Sequence, residues 1–316
     1  MSGFGYRIQD GVARKVSMKE ALDSRDAMVW VHLTTSAENA KEWLRDVAKL
    51  PDYLIEALTA QETRPRSTAF GSGAFLNLRG RTDEEIDPSD MLASLRIWAE
   101  KGRVISLTRK HLIAVDTVIK TVADGKVLDP GDLITAFATA ITADLDPMVA
   151  ALGDDLDDCE QQLDSAQVFA LRREVTRVRV EAINYRRFLN PQRAAIEGLT
   201  SLPGDWLDAD DRAHLSAAAD RAARMVEELE AIRERSSLMH EALTDLRAEQ
   251  LDQRGLVISI AAMVFLPLTF LTGLYGMNVK GLWFAEEPWA FDAIVGLCLL
   301  IAAGVTGWFV ARHWLR

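Results

Sequence analysis

Two runs of the chain carry no helical or strand alternation because almost every position in them is apolar. Gly255–Gly276, GLVISIAAMVFLPLTFLTGLYG, is 22 residues without a charge. Trp289–Val310, WAFDAIVGLCLLIAAGVTGWFV, is as long and holds one charge, Asp292, near its start. A helix rises about 1.5 Å per residue, so each run reaches roughly 33 Å, the thickness of a bilayer core. Both are expected to be transmembrane helices, the first over 255–276 and the second over 289–311. Small residues recur in the second (Gly296, Ala302, Ala303, Gly304, Gly307), as suits close helix packing in lipid, and Trp289, Trp308 and Trp314 lie at its ends. Pro267 interrupts the first and is expected to bend it. The alternative, two buried helices of a soluble domain, fits poorly with two such runs at the C-terminal end.

Upstream the pattern becomes periodic. Leu215, Ala218, Ala222, Met225, Leu229, Ile232, Ser236, Met239, Leu243 and Leu246 follow a 3–4 spacing through more than four heptads. No proline occurs from Asp211 to Gly276 other than Pro267, and no glycine before Gly255. One helix of about 65 residues, roughly 100 Å long, is expected to feed the first apolar run. A rod of that length needs partner helices, which points to an oligomer. Residues 130–165 and 168–198 also have helical patterns; Asp129-Pro130 opens the first as an N-cap with proline in the first turn. Pro147 and Pro191 mark weak points in the two. Pro203-Gly204 breaks the chain before the long helix, with Asp205 or Asp208 as its cap.

Residues 1–128 alternate as α/β. Strands are expected at Met28–Leu33, Ala74–Arg79, Met91–Trp98 and Arg103–Thr108, with Ala99-Glu100-Lys101-Gly102 as a hairpin turn, and helices at 36–50 and 52–60. Gly71-Ser72-Gly73 is expected to be a turn, since neither a phosphate loop nor a dinucleotide fingerprint surrounds it. The domain plan is therefore an α/β domain over 1–128, a helical stalk over 129–254, two spans, and an external loop over 277–288.

Charge sharpens the picture. The net charge is −11, which disfavours nucleic acid and favours cations. Flanking basic residues set the orientation: Arg247 and Arg254 precede the first span and Arg312 and Arg316 follow the second, whereas the loop has Lys280 against Glu286 and Glu287. Both termini are expected to be cytoplasmic, and no cleaved signal peptide is expected. Cys159 and Cys298 make no disulfide framework, and the five histidines show no zinc spacing. No resident cofactor and no nucleophile–base constellation are visible, so an enzyme is not expected.

The stretch FLPLTFLTGLYGMN, 265–278, closes the first of two terminal spans with G-M-N. That motif in that position resembles the CorA superfamily of divalent metal transporters, over the whole chain. Val279-Lys280-Gly281-Leu282, Glu286-Glu287-Pro288-Trp289, the early WVHL and the LRIW…VISLTR hairpin are most similar to the ZntB branch, associated with zinc. Lys280 departs from the branch pattern, where a small neutral residue is expected. The resemblance implies a funnel-shaped homopentamer in the inner membrane, with an α+β cytoplasmic domain, long stalk helices, an inner ring of first spans and an outer ring of second spans. It implies uptake of divalent cations, zinc foremost, with magnesium, cobalt and nickel as alternatives and protons as a coupled partner. The competing readings are a magnesium channel gated by cytoplasmic metal and a membrane-tethered scaffold without conduction.

Under that resemblance the selectivity filter is Gly276, Met277 and Asn278. Counting back at 3–4 spacing gives a pore-facing stripe of Gly273, Thr269, Leu266, Ala262, Ser259 (or Ile258), Gly255 and Asp252. Five Asn278 amides with Gly276 carbonyls can hydrogen-bond the water shell of a divalent ion. Met277 is a packing residue or a soft ligand, Thr269 a hydroxyl ring or a back-bonded helix residue. Leu266 is a hydrophobic constriction and Asp252 a cation collector or a solvated helix charge. The acidic run Asp154, Asp155, Asp157, Asp158 and Glu160 is a solvated face or a place where cations gather inside the funnel. Tyr275 props the external loop, which Lys280, Glu286 and Glu287 tune.

Overall fold

The computed structural model describes residues 2–24, 27–34, 37–61, 64–83, 92–163, 168–202, 206–278, 281, 283–284 and 287–314. The chain forms two compact units: Met1–Leu163 with Phe169–His240, and Asp164–Val168 with Glu241–Arg316.

The first unit is built on a seven-stranded sheet: β1 Ser2–Gln9, β2 Val12–Val16, β3 Met28–Thr34, β4 Arg66–Phe70, β5 Gly73–Gly80, β6 Ala93–Glu100 and β7 Arg103–Thr108, in the order β2-β1-β3-β7-β6-β5-β4. The β3–β7 pair is parallel and every other pair antiparallel. All four expected strands are present. Lys101-Gly102 turns the β6–β7 hairpin, pairing Glu100 with Arg103. Gly71-Ser72 turns β4 into β5, with Phe70 opposite Gly73, so the glycine pair is a hairpin turn. The β1–β2 hairpin was not anticipated. Asp10 and Gly11 both have positive φ (50° and 76°), the two-residue turn whose twist matches the strands. Its edge strand β2, with Arg14 and Lys15 in five residues, does not show in the apolar pattern.

Alternation along β3 divides the core. Val29, Val31 and Leu33 face one side, where Leu33 joins Phe75, Trp98, Ile105 and Leu107 against α2 (Ala37–Asp46) and α3 (Asp52–Thr59). Trp30, on the other side, meets Phe137 of α5 (Pro130–Gln161) edge-on at 5.6 Å between ring centroids. His32 lies on that side too, 3 % exposed, with Nδ1 2.8 Å from the Ser106 hydroxyl, to which Trp30 also donates. Burial holds the imidazole down at about 3, so it is neutral. Two short helices, α1 (Met18–Leu22) and α4 (Ile113–Ala123), complete this part; α4 packs on α5.

Three long helices follow: α5, α6 (Val168–Thr200) and α7 (Ala209–Tyr275). Asp129 caps α5 by accepting from the Asp132 N–H at 3.0 Å, with Pro130 in the first turn, as its sequence requires. Pro147 and Pro191 lie within continuous helices. Asp208 caps α7, accepting from the Asp211 N–H at 2.8 Å; Asp205 and Pro203-Gly204 lie outside the described residues.

The heptad face of α7 is buried at every expected position from Leu215 to Leu243. Its partners are the chain's own helices. Gly153 of α5 lies beside Ile232, and Arg186 of α6 pairs with Glu230 at 2.7 Å. The partner helices that a rod of this length needs thus include α5 and α6 of the same chain, its neighbours along the sequence.

The starts of α5 and α7 meet through carboxylates. Asp129, Asp132 and Asp211 hold oxygens within 4.8 Å of one another. Each serves a helix start: Asp132 accepts from the Leu128 N–H, just before the Asp129 cap, and Asp211 accepts from Asp208, closing a reciprocal cap. A Cβ on Gly131 would overlap the Asp211 carboxylate, so only glycine lets the two helices approach here. Burial, then the neighbouring aspartates, push Asp211 up to about 6. The folded chain thus holds this proton more tightly than the unfolded chain does. The stabilisation it brings is complete below the ordinary carboxylate range and is lost as pH rises through about 6. Thermal unfolding of the solubilised protein between about pH 5 and about pH 8 is expected to show Tm falling with pH, and Asp211→Asn to flatten that slope; an equal slope in the variant would assign it to other groups.

Candidate ion pathway on the apolar helices

Helix α7 and α8 (Ala290–Trp314) each hold an apolar window long enough to cross a membrane, and none of either window is buried. Helix α5 also has the length and apolarity, but 44 % of its window is buried, which makes it a core helix of the first unit.

Within the second unit, α7 and α8 lie side by side. Residues Ile260, Val264, Pro267, Leu268, Leu271 and Tyr275 of α7 are half-covered, as are Ile294, Cys298, Ile301, Ala302, Val305 and Phe309 of α8. Both sets recur at 3–4 spacing and mark the two contacting faces. A groove of about 540 Å³ runs along this contact, between Leu268, Thr272 and Tyr275 on one side and Ile294, Cys298 and Ala302 on the other.

The expected stripe of Gly255, Ser259, Ala262, Leu266, Thr269, Gly273 and Gly276 is exposed at every position, and so is Asp252. Leu266 is 72 % exposed. Leu266 stands two residues from Val264, and Thr269 two from Leu271, a rotation of about 200°. From Gly255 to Gly273 the stripe is thus on the side of α7 turned away from α8, whereas Gly276, at the helix end, lines the groove between the two helices. Ile258, the alternative to Ser259, is 70 % exposed as well, so exposure does not separate the two. The hydroxyls along the stripe are back-bonded: Ser259 donates to the Gly255 carbonyl at 2.9 Å and Thr269 to that of Phe265 at 2.7 Å. Each proton is directed into the helix, which leaves the oxygen lone pairs on the open side.

Helix α7 ends as Gly276 donates to the Thr272 carbonyl at 2.9 Å and Met277 to that of Leu274 at 3.4 Å. A Cβ on Gly276 would stand 3.0 Å from the Thr272 carbonyl oxygen, so the last turn is tight around this residue. Met277 is 51 % exposed and Asn278 is exposed. The Tyr275 hydroxyl donates to the Trp283 carbonyl at 3.3 Å, tying the end of α7 to the far side of the loop. Phe284, at φ 58°, packs against Trp289 with ring centroids 5.6 Å apart. Glu287 is exposed and its N–H donates to the Phe284 carbonyl. Lys280 and Glu286 lie outside the described residues.

The acidic run lies in the first unit on α5. Arg177 of α6 pairs with Asp155 at 2.6 Å, and Arg235 of α7 pairs with Asp157 and with Glu160, the latter at 2.8 Å. Among the described residues Asp154 and Asp158 form no ion pair. These arginines were not singled out from the sequence. They are far away along the chain, and only their spacing on α6 and α7 relative to α5 could have signalled the pairing.

With this geometry in view, the relatives can be compared. Residues 25–312 match the model of the family described as "CorA-like Mg2+ transporter protein". The zinc transport protein ZntB of Pectobacterium atrosepticum is 29 % identical over 287 residues, covering 90 % of this chain and 88 % of its own. That of Klebsiella pneumoniae is 30 % identical, covering 92 % and 89 %. Among solved structures, the full-length CmaX protein superposes with TM-score 0.79 at 29 % identity, covering 99 % of this chain and 98 % of its own. The complete CorA magnesium transporter of Methanocaldococcus jannaschii superposes with TM-score 0.80 at 17 % identity, covering 98 % and 97 %, which shows a shared fold. The chain belongs to the CorA-like transporter family. It is a transporter of metal cations and not an enzyme.

The Tyr275–Trp283 hydrogen bond is the one side-chain tie described across the loop. Tyr275→Phe is expected to speed amide exchange at Gly276 and Met277 by about fivefold, the equivalent of a net hydrogen bond of ~1 kcal/mol. Exchange measured by mass spectrometry at wild-type speed would mean that the turn is held by its backbone alone.

Proposed function

We propose that this chain carries divalent metal cations, zinc foremost, through a membrane pore made of five copies. The observation that carries the proposal is the exposed stripe along α7, which from Gly255 to Gly273 lies on the side away from α8 and runs into Gly276-Met277-Asn278. In a fivefold ring each stripe residue becomes a ring of five. The α7 segment over 255–276 then lines the pore, α8 over 289–311 forms the outer ring, and the loop over 277–288 is external. Both termini are cytoplasmic in the inner membrane, consistent with the basic flanks and with relatives named for zinc transport. The α/β domain over 1–128 and the helical stalk over 129–254 form the cytoplasmic funnel.

The pore chemistry is one of hydrogen bonding to a hydrated ion. Asn278 supplies amide oxygens at the mouth, and Gly276 and Gly273 let backbones approach and expose carbonyls. Thr269 and Ser259 add oxygens whose protons are already committed to the helix. Such neutral oxygens hold the water shell of a divalent cation without stripping it. Met277 packs the turn. Leu266 is an apolar constriction that closes by dewetting. Asp252 gathers cations at the inner end, and Glu286 and Glu287 offset Lys280 at the outer end.

Magnesium is the second reading, favoured by the family description and by the absence of soft ligands along the stripe. Flux of zinc, magnesium, cobalt and nickel into proteoliposomes, with and without a pH gradient, separates the two and reads out proton coupling. Asn278→Ala is expected to lower flux at least about tenfold, ~1.4 kcal/mol for a lost ring of hydrogen bonds. Equal flux in wild type and variant would remove Asn278 from the filter. No flux of any metal would favour a scaffold.

A further inference from the structure

The five carboxylates on α5 resemble a cation site in sequence, yet the fold brings arginines to them. Arg177 of α6 reaches Asp155 across the helix interface while also holding Glu174 and Glu181 on its own helix, the latter at 3.0 Å. Arg235 of α7 holds Asp157 and both oxygens of Glu160. One guanidinium thus links α5 to α6 and the other links α5 to α7, within two turns of each other on α5.

A divalent cation in the same place would do what these side chains do. It would supply two positive charges, take several carboxylate oxygens and draw three helices together. Two guanidiniums supply the same charge, and their planar forks provide N–H donors for several oxygens. The charge is permanent, because a guanidinium does not titrate in the working range and is covalently attached, whereas a bound cation follows its free concentration. Each pair alone is half-exposed and contributes little, but here two arginines share five acidic partners in a network.

We propose that Arg177 and Arg235 are resident counter-ions of the α5 acidic ridge, and that they hold α5, α6 and α7 together here in place of a divalent cation. The packing of these helices is then independent of the metal being carried. The reading of the chain as a metal transporter enters only in the choice of ions for the test. Carboxylates without an arginine remain nearby: Asp154 of α5 faces Glu228 of α7, which burial and then Asp146 and Asp154 push up. They set the limit of the device, since any metal effect on this region should act through them.

The test is hydrogen–deuterium exchange of the full-length protein in detergent, followed in the peptides over 152–162, 172–182 and 228–240. Each protein is measured in chelator, in magnesium and in zinc. Wild type is expected to exchange at the same rate in all three. Arg177→Gln with Arg235→Gln is expected to exchange about tenfold faster in chelator and to regain protection in magnesium, since the freed carboxylates then need an external cation. Arg177→Lys with Arg235→Lys, which keeps the charge and loses the fork, should fall between the two. Wild-type protection that requires added metal would overturn the proposal without any variant being made. So would a Gln variant that exchanges like wild type in chelator. Metal flux is measured separately, so loss of transport with unchanged exchange would bear on the pore and not on this device.

Discussion

Helix α7 runs unbroken from Ala209 to Tyr275, with one ladder hydrogen bond missing at Pro267, and the rest of the chain answers the question of what covers the sides of that one helix. A helix satisfies its own backbone, so it can leave protein surroundings without exposing unpaired groups. What changes along it is the company of its side chains. From Leu215 to Met239 one face is buried, with α5 and α6 beside it. From Ile260 to Tyr275 one side lies against α8 and the rest is apolar and open. An apolar surface of that length is costly in water and settled in lipid. The transporter reading follows from that change of surroundings together with the small and polar residues left on the open side.

Polar chemistry in the first unit is arranged by pairing and not by exposure. His32 is neutral because its burial penalises the charged ring, and Ser106, Thr34 and Thr108 give its nitrogens hydroxyl partners. The starts of α5 and α7 place aspartates against one another because each is needed as a cap, and burial, then the crowding, raises Asp211. The acidic ridge is met by arginines from two other helices. In all three places, residues that suggest metal or proton chemistry in isolation are accounted for by their neighbours. The stripe on α7 differs: from Gly255 to Gly273 it is exposed, and its Ser259 and Thr269 hydroxyls donate within their own helix.

The long periodic stretches were legible because burial on one face writes a repeat into the sequence. That holds for α7, whereas the start of α5 was legible as the Asp129-Pro130 cap and β3, β5, β6 and β7 as short apolar runs buried on both faces. The β1–β2 hairpin was not: the edge strand β2 has two charges in five residues, and the Phe4, Tyr6 and Ile8 alternation of β1 is interleaved with glycines and polar residues. Helix α4 was missed although it is apolar, since its 11 residues do not distinguish a helix from a strand by periodicity. Of the candidate site, the spacing of the stripe and the tight end at Gly276 were visible. The tie from Tyr275 to Trp283 was not, as it depends on the path of the loop.

By itself the sequence determined two apolar helices, a long helix before them and the G-M-N at the end of the first, because hydropathy and periodicity act locally and need no partner. Tertiary structure decided which faces are covered. It turned the heptad of α7 inward onto its own chain, put α8 on the side of α7 away from the stripe, and set Arg177 and Arg235 on the acidic ridge. Those outcomes rest on contacts between residues tens of positions apart, whose free energy exists only once the chain has brought them together.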